Sequence, residues 1–93
     1  MGFEWDPKKD GVNRAKHDIA FEDAINVFRD ATLFIEESTR PEHGEVRWQA
    51  TGMIGPDYIT VVFTVRGENR RVISARRARK DERERYRTSA ASA

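Results

Sequence analysis

Arginines near the carboxyl end of the sequence are the residues best suited to bind a phosphate. Arg66 lies at the end of one predicted strand, and Arg76 and Arg77 lie at the end of the next. A guanidinium group is planar, stays charged at neutral pH and can donate two hydrogen bonds to one phosphate. For any single arginine, a solvated charge beside a carboxylate is the favoured interpretation. As a group they favour a partner with phosphates, and an acidic protein surface would serve almost as well.

The alternation of side chains along a strand separates these arginines. Arg76 is expected to share a face with Val72, while Arg77 lies on the opposite face. If the preceding turn holds three residues, Arg66 faces Arg70 and lies roughly 20 Å from Arg76, at about 3.4 Å per residue. These arginines therefore cannot all belong to one cluster.

Two alternative basic sites remain, and the sequence does not choose between them. One would gather three arginines at one end of the sheet: Arg47, Arg66 and Arg70. The other would gather, at the opposite end, Arg76 or Arg77 with Tyr58 and Tyr86. For Tyr86, on a highly charged predicted helix, sealing the edge of the sheet and presenting a hydroxyl to a ligand are equally good interpretations.

The two histidines are the side chains whose unperturbed pKa lies nearest neutrality. His17 follows Lys16 at the end of a predicted helix, where a cation also suits the helix dipole, so helix capping and catalysis both remain open. His43 lies in a polar loop and is interpreted as a surface residue without a role. Two histidines without an acidic cluster at ligand spacing predict no metal site.

The composition of the chain excludes several classes of protein. The chain has 93 residues, 38% of them hydrophobic, and no cysteine, which predicts one domain over 1–93 without a disulfide, thiolate metal site or thiol nucleophile. Residues 1–65 hold 7 basic and 12 acidic side chains, whereas residues 66–93 hold 10 and 4. No apolar run suggests a signal peptide or membrane span, so we expect a cytoplasmic protein that makes no membrane contact.

The amino-terminal third predicts a short strand and two helices. Residues 3–5 alternate as a strand, and Asp6 followed by Pro7 is typical of a helix start, which predicts a helix to His17. Apolar residues at 21, 24, 25 and 28 repeat with helical spacing, so residues 21–29 are predicted to form a second helix.

The remaining sequence predicts strands followed by a helix. The expected strands are 32–36, 46–51, 58–65 and 70–77, the expected helix is 79–88, and the tail 89–93 is expected to be frayed. The fold class is therefore α+β, with two N-terminal helices, a four-stranded antiparallel meander, a short first strand at an edge and a C-terminal helix.

Several motifs, taken in order, resemble one family. They are FEWDP at 3–7, KH at 16–17, FEDAINVF at 21–28, VVFTVRG at 61–67, VISARRA at 72–78 and ERERY at 82–86. With this order of elements, the chain resembles the BrnT family of bacterial toxins from about Phe3 to Tyr86. The resemblance implies a RelE-like fold and a ribonuclease that arrests translation, with RNA as the substrate, possible association with the ribosome and no cofactor.

The same resemblance implies a partner and a set of functional positions. The partner is a BrnA-type antitoxin whose ribbon-helix-helix domain binds promoter DNA, which the toxin contacts only through the antitoxin. Candidate catalytic residues are Arg66, Arg76, Arg77, His17 and Tyr86, with Glu82 also at a family position. Candidate RNA-binding residues are Lys16 and Arg47 at family positions. Arg70, Lys80 and Arg83 are added from the basic carboxyl-terminal block, not from the resemblance. Many members of the family have a basic residue at the start of the central strand, where this chain has Asp57 and Tyr58, and this departure weakens the case for a phosphate site at that end.

A mechanism that fits these residues is attack of the 2′-hydroxyl of the RNA on the adjacent phosphate, which needs neither metal nor protein nucleophile. Arginines would stabilise the charge on the phosphate oxygens, and His17, Lys16, Glu82 or Tyr86 would assist proton transfer. The alternative hypothesis is a nonenzymatic basic module that binds a partner protein or nucleic acid.

Overall fold

A five-stranded mixed sheet forms the scaffold of the protein in a computed structural model that describes residues 2–92. The strands are β1 (Gly2–Trp5), β2 (Phe34–Glu37), β3 (Trp48–Ile54), β4 (Asp57–Arg66) and β5 (Asn69–Arg77), in the spatial order β1-β5-β4-β3-β2. Strands β2 to β5 form an antiparallel meander, and β1 pairs with β5 in parallel. The predicted α+β class and meander are confirmed, whereas the RelE-like assignment stays a prediction.

Three α-helices and two 3₁₀ helices accompany the sheet in the described residues. They are α1 (Pro7–His17), α2 (Phe21–Ala24) with a 3₁₀ helix at Ile25–Arg29, a 3₁₀ helix at Pro41–His43, and α3 (Lys80–Ala91). The predicted start of α1 is confirmed, since the Asp6 carboxylate accepts a hydrogen bond of 2.9 Å from the Lys8 amide. Among residues 2–92, no helix has the length and apolar character that crossing a membrane requires.

Several predicted boundaries differ from the structure, and β3, predicted over 46–51, spans Trp48–Ile54. The second helix changes to 3₁₀ geometry after Ala24, which brings the tighter turn against β3. Strand β2 begins at Phe34 rather than at Thr32, because the Thr32 amide and hydroxyl both bond to Asp30 in a turn. The predicted frayed tail is helical through Ala91, and Ala93 lies outside the described residues.

The hydrophobic core lies between one face of the sheet and the α1–α2 region. Buried residues of α2 and the 3₁₀ helix pack against β4 and β5, and the cluster comprises Ile19, Phe21, Ala24, Val27, Ile59, Val61, Val72 and Ala75. On the opposite face, the alternate residues of β4 are polar at Thr60 and Thr64. Helix α3 covers only one end of that second face, because Glu82 and Tyr86 contact residues near the start of β4.

A β-bulge between β4 and β5 changes which β5 side chains share a face. Val62 pairs with Ser74, but the next β4 residue, Phe63, pairs with Val72, so Ile73 is the extra residue. Val72 therefore lies on the core face, and the expectation that it shares a face with Arg76 was wrong. Ser74 and Arg76 together face the open side of the sheet.

The β4–β5 turn also differs from the expectation. Arg66 pairs with Asn69, so the turn holds two residues, beginning with Gly67 at a positive φ of 58°. Arg70 consequently lies opposite Val65 and not opposite Arg66. Because successive side chains alternate, Arg66 and Arg70 lie on opposite faces of the sheet.

A buried asparagine joins α1 to the edge of the sheet. Strand β1 pairs with β5 only as far as Val72, which leaves the outer edge of the second half of β5 uncovered. The Asn13 side chain bonds to both the Ala75 amide (3.1 Å) and the Ala75 carbonyl (2.9 Å), and also to the Ile19 carbonyl. Helix α1 is thus fixed beside β5 where a further strand would otherwise lie.

Candidate functional site

A polar groove of about 470 Å³ occupies the open face of the sheet beside α3. Its floor comes from β3, β4 and β5, and its walls come from the β2–β3 loop and the start of α3. The lining residues are Ser38, Thr39, Arg40, His43, Arg47, Gln49, Val62, Ile73, Ser74, Arg76 and Arg79. Four arginines line the groove and no aspartate or glutamate does, although the chain contains 16 acidic residues. The groove is therefore a candidate anion-binding site.

Arg76 is the most firmly held cation of the groove. Its two terminal nitrogens donate hydrogen bonds of 2.6 and 2.9 Å to the two carboxylate oxygens of Glu82. Burial by itself would raise the pKa of Glu82, but the hydrogen bonds from Arg76 and the Arg79 amide outweigh it and lower this pKa to about 2. A guanidinium has five N–H groups, so three donors of Arg76 remain for a ligand.

Glu82 connects the groove to the interior beneath α3. Its side chain is 3% exposed, and it also accepts hydrogen bonds from the Arg79 amide (2.8 Å) and the Thr60 hydroxyl (3.3 Å). Thr60 in turn shares a hydrogen bond of 2.9 Å with Thr51, and both threonines are fully buried. Because the Glu82 carboxylate also caps the first turn of α3, the position of Arg76 depends on that helix being formed.

The β2–β3 loop forms a fixed wall because it is closed by backbone hydrogen bonds. The Ser38 amide donates to the Arg47 carbonyl (2.8 Å), and the Arg47 amide donates to the Thr39 hydroxyl (2.9 Å). The Arg47 Nε atom lies 3.3 Å from Glu45. These contacts hold Arg47 across the groove from β5.

His43 lies in this wall, although it was interpreted from the sequence as a surface residue without a role. Its Nδ1 atom accepts a hydrogen bond of 3.1 Å from the Arg40 amide. When the ring is neutral, its proton must therefore be on Nε2, so His43 can serve as a hydrogen-bond donor. No sequence signal identifies His43, because its position depends on how the loop folds over the sheet.

Two groove arginines have no ion pair within residues 2–92. They are Arg40 in the loop and Arg79 at the start of α3, and both have exposed side chains. Sequence reasoning missed both of them. Arg79 directly follows the VISARRA segment at 72–78, so extending the motif by one residue could have found it. These two cations are available to neutralise a bound anion.

Comparison with protein families identifies the chain. Residues 5–82 match the family model described as ribonuclease toxin, BrnT, of type II toxin-antitoxin system. The protein belongs to the BrnT family. Comparison with individually curated proteins gives no match. The match confirms the resemblance seen in the sequence, and it indicates a ribonuclease toxin that acts on RNA and has an antitoxin partner. The matched region includes all groove residues.

The first predicted basic site is not assembled in this BrnT-family toxin. Arg47 and Arg66 do share Glu45, at 3.3 and 3.7 Å. Arg70, however, lies on the helix-covered face, where its guanidinium packs 4.4 Å above the centre of the Phe28 ring. Arg47 instead lines the same groove as Arg76, a residue that the prediction put at the other end of the sheet.

The second predicted site is only partly assembled. Arg77 pairs with Asp57 at 3.6 Å, and with Tyr58 and Arg83 it lines a small separate pocket of about 260 Å³. Tyr86 is buried, and its hydroxyl donates a hydrogen bond of 2.6 Å to Asp30. Burial and this bond raise the pKa of Tyr86. These contacts explain Tyr86 as a structural residue, and its catalytic assignment stays a prediction.

The remaining predicted residues lie outside the groove. Lys16 and His17 line a neighbouring depression beside α1. Lys80 is exposed on the first turn of α3, and the Arg83 guanidinium donates a hydrogen bond of 3.1 Å to the Ala78 carbonyl. The tertiary structure therefore joins Arg76 and Arg47 with Arg40, His43 and Arg79, rather than with the residues predicted to accompany them.

Proposed function

We propose that the groove is the active site of this toxin and that it cleaves RNA through the 2′-hydroxyl of the substrate. The 2′-oxygen forms a bond to the adjacent phosphorus while the bond from phosphorus to the 5′-oxygen breaks. The products are one RNA with a 2′,3′-cyclic phosphate and one with a 5′-hydroxyl. The 2′-hydroxyl loses a proton and the 5′-oxygen gains one, so atoms and charge balance.

The single observation that carries this proposal is a guanidinium held by a buried carboxylate at the floor of an otherwise acid-free groove. The ion pair with Glu82 orients Arg76 before any substrate binds, and three of its N–H groups remain free to donate. Preorganised donors stabilise the charge that develops on the phosphate without having to reorganise during the reaction.

The other groove residues have complementary roles in this mechanism. Arg79 and Arg40 neutralise phosphate charge, since neither has an ion pair in the described part of the chain. His43 donates a hydrogen bond to a phosphate oxygen through Nε2. His17 lies in the neighbouring depression. Protons therefore exchange with water, and alignment and charge account for most of the rate.

Metal independence is proposed from the chemistry of the groove side chains. Divalent ions in phosphoryl-transfer sites are held by carboxylates, and no carboxylate lines the groove. In residues 2–92, no group of three or more histidine, aspartate or glutamate side chains is placed to hold a metal ion.

The proposed function includes inhibition by an antitoxin. A BrnA-type antitoxin would cover the groove and block access of RNA, and its ribbon-helix-helix domain would carry the complex to promoter DNA. The basic groove suits an acidic segment of such a partner as well as it suits RNA. Association of the toxin with the ribosome would help to align the RNA strand for attack.

The test uses the full chain separated from its antitoxin and a radiolabelled RNA, with analysis of the product ends. We expect 2′,3′-cyclic phosphate and 5′-hydroxyl ends, cleavage that persists with EDTA, and no cleavage of DNA of the same sequence. Arg76→Ala and Arg79→Ala should each lower the rate, by about 10²–10³-fold if the residue stabilises the transition state. Arg79→Ala removes no ion pair in the described residues and keeps the backbone amide that Glu82 binds, and circular dichroism of the variant checks that it is folded.

The matched control is Arg14→Ala, which removes an exposed arginine that lies outside the groove. Cleavage that requires Mg²⁺, products with a 5′-phosphate, or full activity of both groove variants would contradict the proposed mechanism.

A further inference from the structure

A second depression, of about 330 Å³, adjoins the groove across the β-bulge. Ile73 and Ser74 line both cavities, so the two adjoin at this point of β5. The far wall of the second depression is one side of α1. The bulged residue Ile73 thus lies where the groove on the open face meets the depression beside α1.

The α1 wall concentrates positive charge. Lys8, Val12 and Lys16 follow one another at intervals of four residues and therefore lie on one side of the helix. Lys9 and His17 also line the depression, and no carboxylate does. The charge pattern of the groove therefore continues onto α1, although the residues come from opposite ends of the chain.

The depression also offers an apolar contact at a fixed position. Val12 is 67% exposed, which is unusual for a large aliphatic side chain in a domain with few exposed hydrophobic residues. The buried Asn13 ties the same helical turn to Ala75 of β5 through two hydrogen bonds. The lysines and Val12 are therefore held at a set distance from the bulge.

We infer that this depression binds a nucleotide flanking the cleavage site, on the same RNA strand that is cut in the groove. The strand would cross the bulge at Ile73 and Ser74, with the α1 lysines contacting its phosphates and Val12 contacting a base. The inference rests on the proposed function of the groove. RNA is favoured over a protein segment because the depression, like the adjoining groove, is lined by cations and by no carboxylate.

The experiment measures binding of 2′-O-methyl RNA, which cannot be cleaved by 2′-hydroxyl attack, to the full chain. Oligonucleotides of three and eight nucleotides are compared for the unmodified protein, for the double variant Lys9→Ala/Lys16→Ala and for the matched control Arg14→Ala on the same helix. We expect the eight-nucleotide RNA to bind unmodified protein more tightly than the short one. The double variant should lose about 5- to 20-fold of that affinity and leave the short RNA unaffected.

The salt dependence gives an independent measurement. The slope of log affinity against log salt should fall by about 0.7 for each phosphate contact removed in single-stranded nucleic acid, and only in the double variant. The inference would be overturned if the double variant kept the length dependence and the salt slope of the unmodified protein. It would also be overturned if the double variant bound RNA normally and lost affinity only for the antitoxin. If lysine-dependent binding is present but the unmodified protein cuts no RNA, the proposed activity fails while the binding path stands.

Discussion

Arg76 and Glu82 form a two-point ion pair in which the carboxylate is almost fully buried and the guanidinium reaches the groove. The same carboxylate accepts the Arg79 amide at the start of α3. One acidic residue therefore fixes a groove cation and begins the C-terminal helix. This contact couples the shape of the candidate site to the stability of the fold.

The Glu82 ion pair predicts loss of stability in acid. Its pKa in the folded protein is about 2, below the ordinary value of 4.5, so the unfolded chain takes up the proton first as the pH falls. The stabilising contribution is complete above pH 4.5 and is lost as the pH approaches 2. It amounts to roughly 3 kcal/mol at 1.36 kcal/mol per pH unit. Urea denaturation at several pH values measures this loss.

Glu82→Gln isolates that contribution from those of other carboxylates. The variant should be less stable at pH 7 by about 2–4 kcal/mol, because it leaves Arg76 without its buried counter-charge. It should also show a flatter dependence of the unfolding free energy on pH between 4.5 and 2. Asp81→Asn is the control, since Asp81 is exposed and its pair with Arg85 is screened by solvent and contributes little to stability. Equal pH profiles for Glu82→Gln and the unmodified protein would contradict this account.

We expect a glycine-to-alanine substitution to have opposite effects on stability at two positions, Gly52 and Gly11. An added methyl group at Gly52 would lie 3.1 Å from the Val27 carbonyl oxygen and 3.1 Å from Leu33, so Gly52→Ala should destabilise the protein by about 1–3 kcal/mol. At Gly11, within α1, no atom lies within 4 Å of that position, and Gly11→Ala should stabilise the protein by about 0.5–1 kcal/mol. Thermal denaturation of both variants tests the pair, and shifts in the same direction would be inconsistent with the packing described.

We expect the loss of the Asn13 side chain to destabilise the edge of the sheet locally, at β5. Asn13→Ala leaves the Ala75 amide and carbonyl without partners, at a cost of about 2–4 kcal/mol. Hydrogen exchange should accelerate at the Ala75 amide more than at the Ile59 amide on the neighbouring strand β4. Arg14→Ala, on the next residue of α1, should change stability by less than about 0.5 kcal/mol. Uniform acceleration across the sheet would show that Asn13 has no specific role in pinning α1.

Substitution of two nearby arginines, Arg77 and Arg79, tests which of two pockets is the active site. Arg79 lines the groove and has no ion pair in residues 2–92, whereas Arg77 pairs with Asp57 in a separate pocket. Arg79→Ala should therefore reduce RNA cleavage at least 10-fold more than Arg77→Ala does. Single-turnover cleavage rates measure the difference. A larger loss for Arg77→Ala would move the active site to the pocket beside Tyr58.

Local pattern was enough to predict most elements. The cap at Asp6 and Pro7, the alternation of β4 and the spacing of Phe21 and Ala24 each depend on neighbouring residues, so the sequence predicts them directly. The change from α to 3₁₀ geometry after Ala24 was missed, because it depends on packing against β3.

The candidate site was predicted less completely for the same reason. Arg47 and Arg76 were both identified, yet they were assigned to different ends of the sheet. His43 and Arg40 belong to a loop whose path is set by hydrogen bonds between Thr39 and Arg47, and no periodic pattern reports such contacts.

The sequence by itself determined the composition of the protein, its α+β order of elements, the arginine-rich carboxyl end and the family to which it belongs. Tertiary structure alone decided which of those charges meet. A single bulged residue, Ile73, reverses the faces of half of β5, and a folded loop brings Arg40 and His43 over the sheet. Both effects arise because side-chain direction in a strand follows from register, which is fixed by pairing with distant residues.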